Sequence, residues 1–258
     1  MSVRAEHDRG VLAGLLGRDP LLHAYELGDL DDFFWPYTSW FRRGEAVALL
    51  YHGARPPTLL ALSGPAGVGE LAALLGELAP VLPTRCDAHL SPGLERVLAG
   101  SFRMVSRGRH LKLALTDGGR LAAVEAAGEV LGRADLPALR ELYAVAYPGN
   151  WFDARMVDTG RYVGVRAGGV LVAVAGVHVY SPALRVAALG NVTTRPGWRR
   201  RGFAAAAVAR LCALLRTEVD HVGLNVQADN VAAVRLYEGL GFAPVAEYGE
   251  FELTAAGG

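Results

Sequence analysis

The stretch Asn191-Val-Thr-Thr-Arg-Pro-Gly-Trp-Arg-Arg-Arg-Gly-Phe-Ala204 decides how this chain is read. Its first residues close a strand-like run, Leu184 to Thr194, and its last open an Ala/Leu-rich helix, Phe203 to Glu218. Between them Arg195, Arg199, Arg200 and Arg201 crowd into one turn, and Gly202 stands where the helix begins. Such a loop presents backbone N–H groups and cations to a phosphate-bearing ligand. Gly202 lets the backbone approach a phosphate with no Cβ in the way. The helix N-terminus adds roughly half a positive charge. The plain alternative is a solvated basic turn. Against it stand the strand before, the Arg-x-x-Gly spacing, the helix directly after and a second motif downstream.

That second motif is Asn230-Val-Ala-Ala-Val-Arg-Leu-Tyr-Glu-Gly-Leu-Gly-Phe242. Asn230, Ala233 and Tyr237 fall at i, i+3 and i+7, one face of a helix. Asn230 is a natural N-cap for it and Gly241 a natural C-cap. Together the two stretches resemble the coenzyme A site of the GCN5-related N-acetyltransferase (GNAT) superfamily. Its pyrophosphate loop carries Gln/Arg-x-x-Gly-x-Gly/Ala, present here as Arg199-Arg200-Arg201-Gly202-Phe203-Ala204. The resemblance covers about Asp135 to Leu253.

The resemblance implies an acyl-CoA-dependent acyltransferase, an N-acetyltransferase with acetyl-CoA as donor and no metal. It places the coenzyme on Arg199, Arg200, Arg201, Gly202, Phe203 and Ala204, with Asn230 and Ala233 on the second motif. It lays the pantetheine arm along the backbone of Asn191, Val192, Thr193 and Thr194. It puts Tyr237 beside the thioester sulfur, as catalytic acid or as a packing and cofactor contact. The loop holding Tyr147, Asn150, Trp151 and Asp153 sits where the family gates its acceptor; ordinary turn chemistry is the other reading of these residues. His178 lies on the strand Val170 to Tyr180 and is a candidate base or substrate contact, although a lone strand His is more often structural. Many relatives carry a Glu base on the strand before the loop, whereas Leu184 to Thr194 holds no Asp, Glu or His. The base is left to His178, Asp153, a C-terminal Glu or water. Two other classes stay open: a transferase with a longer acyl-CoA or a hydroxyl acceptor, and a non-catalytic acetyl-CoA sensor or scaffold.

Working outward, Asp135 to Tyr147 has helical spacing, and Tyr162 to Arg166 and Val170 to Tyr180 read as a hairpin about Ala167-Gly168-Gly169. Val222 to Gln227 reads as a strand, Asn230 to Leu240 as a helix and Pro244 to Leu253 as a last strand. The N-terminal half loosely repeats that order. Ala46 to Tyr51 and Thr58 to Ser63 form a strand pair, Gly69 to Leu78 a helix, Leu82 to Ala88 a strand, Gly93 to Leu98 a helix and Phe102 to Leu115 a strand. The fold expected is α/β (α+β): a mixed, mostly antiparallel sheet flanked by helices, in two tandem halves. Residues 1–118 are a degenerate copy without cofactor arginines, and 119–258 are the catalytic domain. The turn Gly64-Pro-Ala-Gly-Val-Gly69 imitates a P-loop, but Glu70 stands where lysine belongs and would repel phosphates. The acidic and aromatic run Asp29 to Trp35 reads as a helix end against the core.

Bulk properties set the frame. The chain has 258 residues, 52% hydrophobic and 20% charged, with 26 basic and 26 acidic residues and no net charge. That is a packed globule rather than a disordered chain, and it lacks the basic excess of a nucleic-acid binder. A local cation cluster on a neutral protein suits a small anionic ligand. Cys86 and Cys212 form no close-spaced pair, and the seven His show no metal pattern. The N-terminus has no apolar h-region, and no apolar run approaches ~18 residues. The expectation is a cytoplasmic monomer or homodimer that acts on a small-molecule or peptide amine, with no nucleic acid or membrane partner.

Overall fold

This computed structural model describes residues 2–256. The N-terminal half gives β1 (Arg4–Ala5), α1 (Arg9–Leu16), α2 (Ala24–Gly28), β2 (Thr38–Arg43), β3 (Ala46–Tyr51) and β4 (Thr58–Ala61). It continues with α3 (Val68–Leu78), β5 (Arg85–Leu90), α4 (Glu95–Leu98) and β6 (Phe102–Leu115). The C-terminal half gives α5 (Gly118–Ala122), β7 (Glu129–Val130), α6 (Leu136–Ala146), β8 (Val163–Ala167), β9 (Val170–Ser181) and β10 (Val186–Thr194). After these come α7 (Phe203–Leu215), β11 (His221–Gln227), α8 (Val231–Gly239) and β12 (Phe242–Ala255). Helices and a mixed, mostly antiparallel sheet are the architecture expected. The structure adds β2 and the two short helices before it, which the sequence pattern did not reveal.

The chain divides into two units. The first is Met1–Lys112 with Val226–Val231 and Pro244–Gly258; the second is Leu113–Asn225 with Ala232–Ala243. The division drawn from the sequence fell at 118/119 and kept Pro244 to Leu253 with the C-terminal half. In the structure those residues lie in β12, which pairs antiparallel with β5 from Gly249↔Leu90 to Thr254↔Arg85.

In the first unit the strands run β1-β2-β3-β4-β5-β12-β6, antiparallel at β1-β2-β3-β4 and β5-β12 and parallel at β4-β5. Leu71, Leu74, Leu75 and Leu78 occupy one face of α3, at i, i+3, i+4 and i+7. They are buried with Leu59, Ala61, Ala88 and Leu90 of the sheet. The P-loop-like turn does precede α3, but Glu70 in the first turn accepts the Glu45 N–H at 3.3 Å. Beyond the β4-β5 pairing Ser91 continues the contact: its N–H donates to Ala61 O at 3.1 Å and its hydroxyl accepts the Ser63 N–H at 2.9 Å.

The same unit buries charge. Lys112 on β6 and Glu26 on α2 are 2% and 3% exposed, with Nζ and Oε2 4.0 Å apart. Burial alone would push the Glu26 carboxyl up, yet Lys112 and His23 hold it down at about 2. Burial, and then Glu26, raise Asp29 well above the usual carboxylate range. Asp29 directly follows α2 and Phe34 is buried, so the Asp29 to Trp35 run is indeed a helix end against the core.

In the second unit the order is β11-β10-β9-β8-β7. β8 and β9 form the expected hairpin, and Gly168 and Gly169 both have positive φ (58° and 81°), the requirement of a type I′ turn. Leu171 through Val177 are all buried, because β9 is central and covered on both faces. α7 buries Ala207, Val208, Leu211, Cys212 and Leu215. Desolvation pushes the Cys212 thiol up to about 12 and the Cys86 thiol up to about 11, so neither is a nucleophile at neutral pH.

Candidate active site

β10 decides the chemistry of the second unit. From Val186 to Leu189 it pairs parallel with β11, and from Val186 to Thr194 antiparallel with β9. The β9 ladder shifts register between Gly190 and Thr193. Asn191 takes a left-handed conformation there, φ 55°. Asn tolerates this region better than most residues. Among the described residues no β11 partner is paired with β10 past Leu189, so the edge of Gly190 to Thr194 is left open to accept a ligand.

Four elements converge on this bulge. Asn191 is 4% exposed. Its Nδ2 donates to Tyr162 Oη at 3.0 Å, and its Oδ1 accepts from Asn150 Nδ2 at 3.1 Å. Its carbonyl accepts from Tyr143 Oη at 3.2 Å, and its side chain is hydrogen-bonded to His178. Gly176 and Gly190 face each other across β9 and β10, and each vacates room for a ring. A Cβ on Gly190 would stand 2.1 Å from the His178 ring, and one on Gly176 would stand 2.4 Å from the Tyr162 ring. Burial lowers the His178 pKa, partly opposed by the Asn191 bond, so at neutral pH the imidazole is uncharged and able to accept a proton. Burial raises the phenols of Tyr143 and Tyr162, which stay protonated as hydrogen-bond donors.

The arginine loop follows. After a 3-10 turn at Pro196–Trp198, Arg200 and Gly202 take positive φ, 60° and 82°. Gly202 is the N-cap of α7, with no side-chain cap bond, and nothing lies within 4 Å of the place a Cβ would take. The first-turn amides of Phe203, Ala204 and Ala205 therefore have no intrahelical acceptor and open towards a ligand. The arginines differ in what they do. Arg199 donates to the carbonyls of Thr194 at 3.2 Å and Ala146 at 3.3 Å, which ties the loop to β10 and α6. Arg201 stacks over Trp198 at 4.7 Å, and Arg195 pairs with Glu141 at 2.8 Å.

Tyr237 on α8 is 7% exposed and packs edge-on against Phe242, ring centroids 5.8 Å apart. Burial, followed by the neighbouring Tyr147, raises its phenol, which remains a donor at neutral pH. Ala233 lies one turn earlier on α8. Asn230 precedes the helix, with its N–H on Gln227 O at 3.0 Å.

The acceptor-loop residues separate. Tyr147 and Asn150 line a cleft of about 330 Å³ together with Arg140, Tyr143 and Phe152. Trp151 sets its ring edge-on to His178 at 5.8 Å. Asp153 instead caps the next turn and holds the Arg155 side chain, with Arg155 Nε at 2.9 Å; that hydrogen bonding keeps its carboxyl low. Sequence reasoning missed Tyr143, Tyr162, Gly176 and Arg140. Only Gly176 carries a signal, since a glycine inside a strand marks close approach of another group.

Among the described residues no group of three His, Cys, Asp or Glu is placed to hold a metal, and no helix is long and apolar enough to cross a membrane.

A splayed strand, a bulge with inward hydrogen-bonding groups and a glycine-opened helix N-terminus make one segment whose free backbone N–H groups can receive a phosphate-bearing ligand. Residues 117–242 match the family model described as Acetyltransferase (GNAT) family, and this stretch is a GNAT domain. Solved structures share the fold over nearly the whole chain. A Drosophila protein superposes with a TM-score of 0.69 at 15% identity, covering 98% of each chain. A GCN5-related N-acetyltransferase from Sphaerobacter thermophilus gives 0.61 at 16% identity, covering 98% of this chain and 95% of its own. A tandem GNAT protein from the clavulanic acid biosynthesis pathway gives 0.57 at 20% identity over 100% and 99%, and fits the two-half architecture. No curated protein matches the sequence.

Proposed function

We propose that the second unit transfers an acetyl group from acetyl-CoA to an amine. The observation that carries this reading is the bulge at Gly190-Asn191. It sets an open strand edge beside the neutral His178 of β9, on the same strand that leads through the arginine loop to the uncapped N-terminus of α7. The pyrophosphate rests on the α7 amides beside Arg200 and Arg201, and the pantetheine lies along Asn191 to Thr194. An alkylammonium with a pKa of ~10 first loses a proton to bulk water or His178. The amine nitrogen then attacks the thioester carbonyl carbon: the C–N bond forms and negative charge develops on the carbonyl oxygen, held by β10 amides. The nitrogen loses its second proton through His178. The C–S bond breaks, the leaving sulfur takes its proton from Tyr237, and the phenol is reprotonated from the site. The products are the acetamide, free coenzyme thiol and one proton to solvent.

The first unit lacks the cofactor arginines and closes the end of its β4-β5 pair with Ser63 and Ser91. One coenzyme per chain is therefore expected, in a protein acting on small amines in the cytoplasm. Tyr237→Phe keeps the ring and deletes the donor. Single-turnover transfer should slow by roughly 10²-fold or more, with acetyl-CoA affinity unchanged. Wild-type turnover by the Phe variant would show that water protonates the thiol.

A further inference from the structure

The cleft beside the bulge has a composition that selects its occupant. Its volume, about 330 Å³, lies at the small end of ligand sites and admits one compact molecule rather than an extended peptide. Arg140, Tyr143 and Tyr147 line it at i, i+3 and i+7 of α6 and its end, one helix face, with Phe152 and Asn150 opposite in sequence. Tyr143 and Phe152 meet at 5.0 Å and form an aromatic wall. Asn150 ties one end of the cleft to Asn191 at 3.1 Å. That end of the cleft therefore adjoins the bulge.

The charge in its lining is that of Arg140. Arg140 is exposed and makes no ion pair among the described residues, and no acidic residue lines the cleft. A polyamine or a lysine-rich peptide needs carboxylates to receive its remaining ammonium groups, and finds none. An unpaired guanidinium at one end of an aromatic cleft instead fits a carboxylate, which it binds bidentately.

On the transferase reading above, we propose that the acceptor is an amino-acid-like molecule: a primary amine on a flat apolar body that also carries a carboxylate. The carboxylate meets Arg140, the body lies against Tyr143 and Phe152, and the amine reaches the Asn191-His178 end.

The test uses the full chain with acetyl-CoA and thiol detection, comparing phenylalanine, phenethylamine and spermidine, together with calorimetry of each amine in the presence of coenzyme A. Phenylalanine should exceed phenethylamine in kcat/KM by roughly tenfold or more, the worth of one charged hydrogen-bonded contact. Spermidine should be poorest. Arg140→Gln, an exposed change that the fold tolerates, should collapse the preference for phenylalanine towards one, through KM rather than kcat. Calorimetry reads the same preference without chemistry. Phenylalanine binding that Arg140→Gln abolishes, with no thiol released, would uphold an amino-acid-like ligand for the cleft and overturn the transferase reading. Equal binding of phenylalanine and phenethylamine, a spermidine preference, or an Arg140→Gln effect equal across the three amines would overturn the acceptor class.

Discussion

Replacing Asn191 with alanine tests the bulge most directly. The side chain makes three hydrogen bonds, to Tyr162, Asn150 and His178, each worth about 1 kcal/mol net. Alanine also tolerates the left-handed φ of 55° less well than asparagine, at a cost of roughly 0.5–1 kcal/mol. The sum is about 3.5–4 kcal/mol, or a fall in Tm of roughly 7–16 °C for a chain of this size. Urea unfolding followed by circular dichroism gives the energy. A double-mutant cycle with Tyr162→Phe isolates one bond, which should couple by about 1 kcal/mol. Acetyl transfer should fall together with stability, because the same bonds hold His178 and the open β10 edge. An Asn191→Ala protein that loses less than about 1 kcal/mol and shows no coupling to Tyr162 would refute the view that this network holds the bulge.

Three further outcomes follow from the geometry. Gly202→Val places a β-branched residue at φ 82° at the mouth of α7, so calorimetry should show loss of acetyl-CoA binding in a folded protein; unchanged affinity would remove the loop from the coenzyme site. Lys112→Ala leaves the Glu26 carboxylate buried without its cation and should cost about 3–5 kcal/mol by denaturant unfolding, whereas Lys112→Met with Glu26→Leu should recover most of it. Asp29 has a raised carboxyl, so its contribution to stability is present below its unfolded pKa and is lost as pH rises through the folded one. Asp29→Asn should therefore gain on the wild type in urea titrations as pH rises from 4 towards 8, and a constant difference would contradict the burial argument.

The two motifs read as a coenzyme site were legible as local structure because their geometry is local. A strand, a basic glycine loop and a helix N-terminus are contiguous, and Ala233 and Tyr237 share a face of α8 through helical periodicity, with Asn230 just before its first turn. The hairpin at Gly168-Gly169 was equally clear, since turn chemistry acts over a few residues. Three things depended on tertiary structure. Tyr143, Tyr162, His178 and Asn191 come from separate elements, and only packing brings their polar atoms within 3–4 Å. Glycine removes the Cβ at 176 and 190, but what fills that space is not written beside it. The pairing of β12 with β5 spans more than 150 residues, and no local pattern names a strand's partner. The same limit hid the Glu26-Lys112 pair: each residue reads as ordinary surface charge until the fold buries both. Sequence by itself determined which local conformations this chain has and where its basic, glycine-bearing loop stands. The tertiary structure decided which distant side chains meet, because desolvation and hydrogen bonding there depend on contacts that only the folded chain makes.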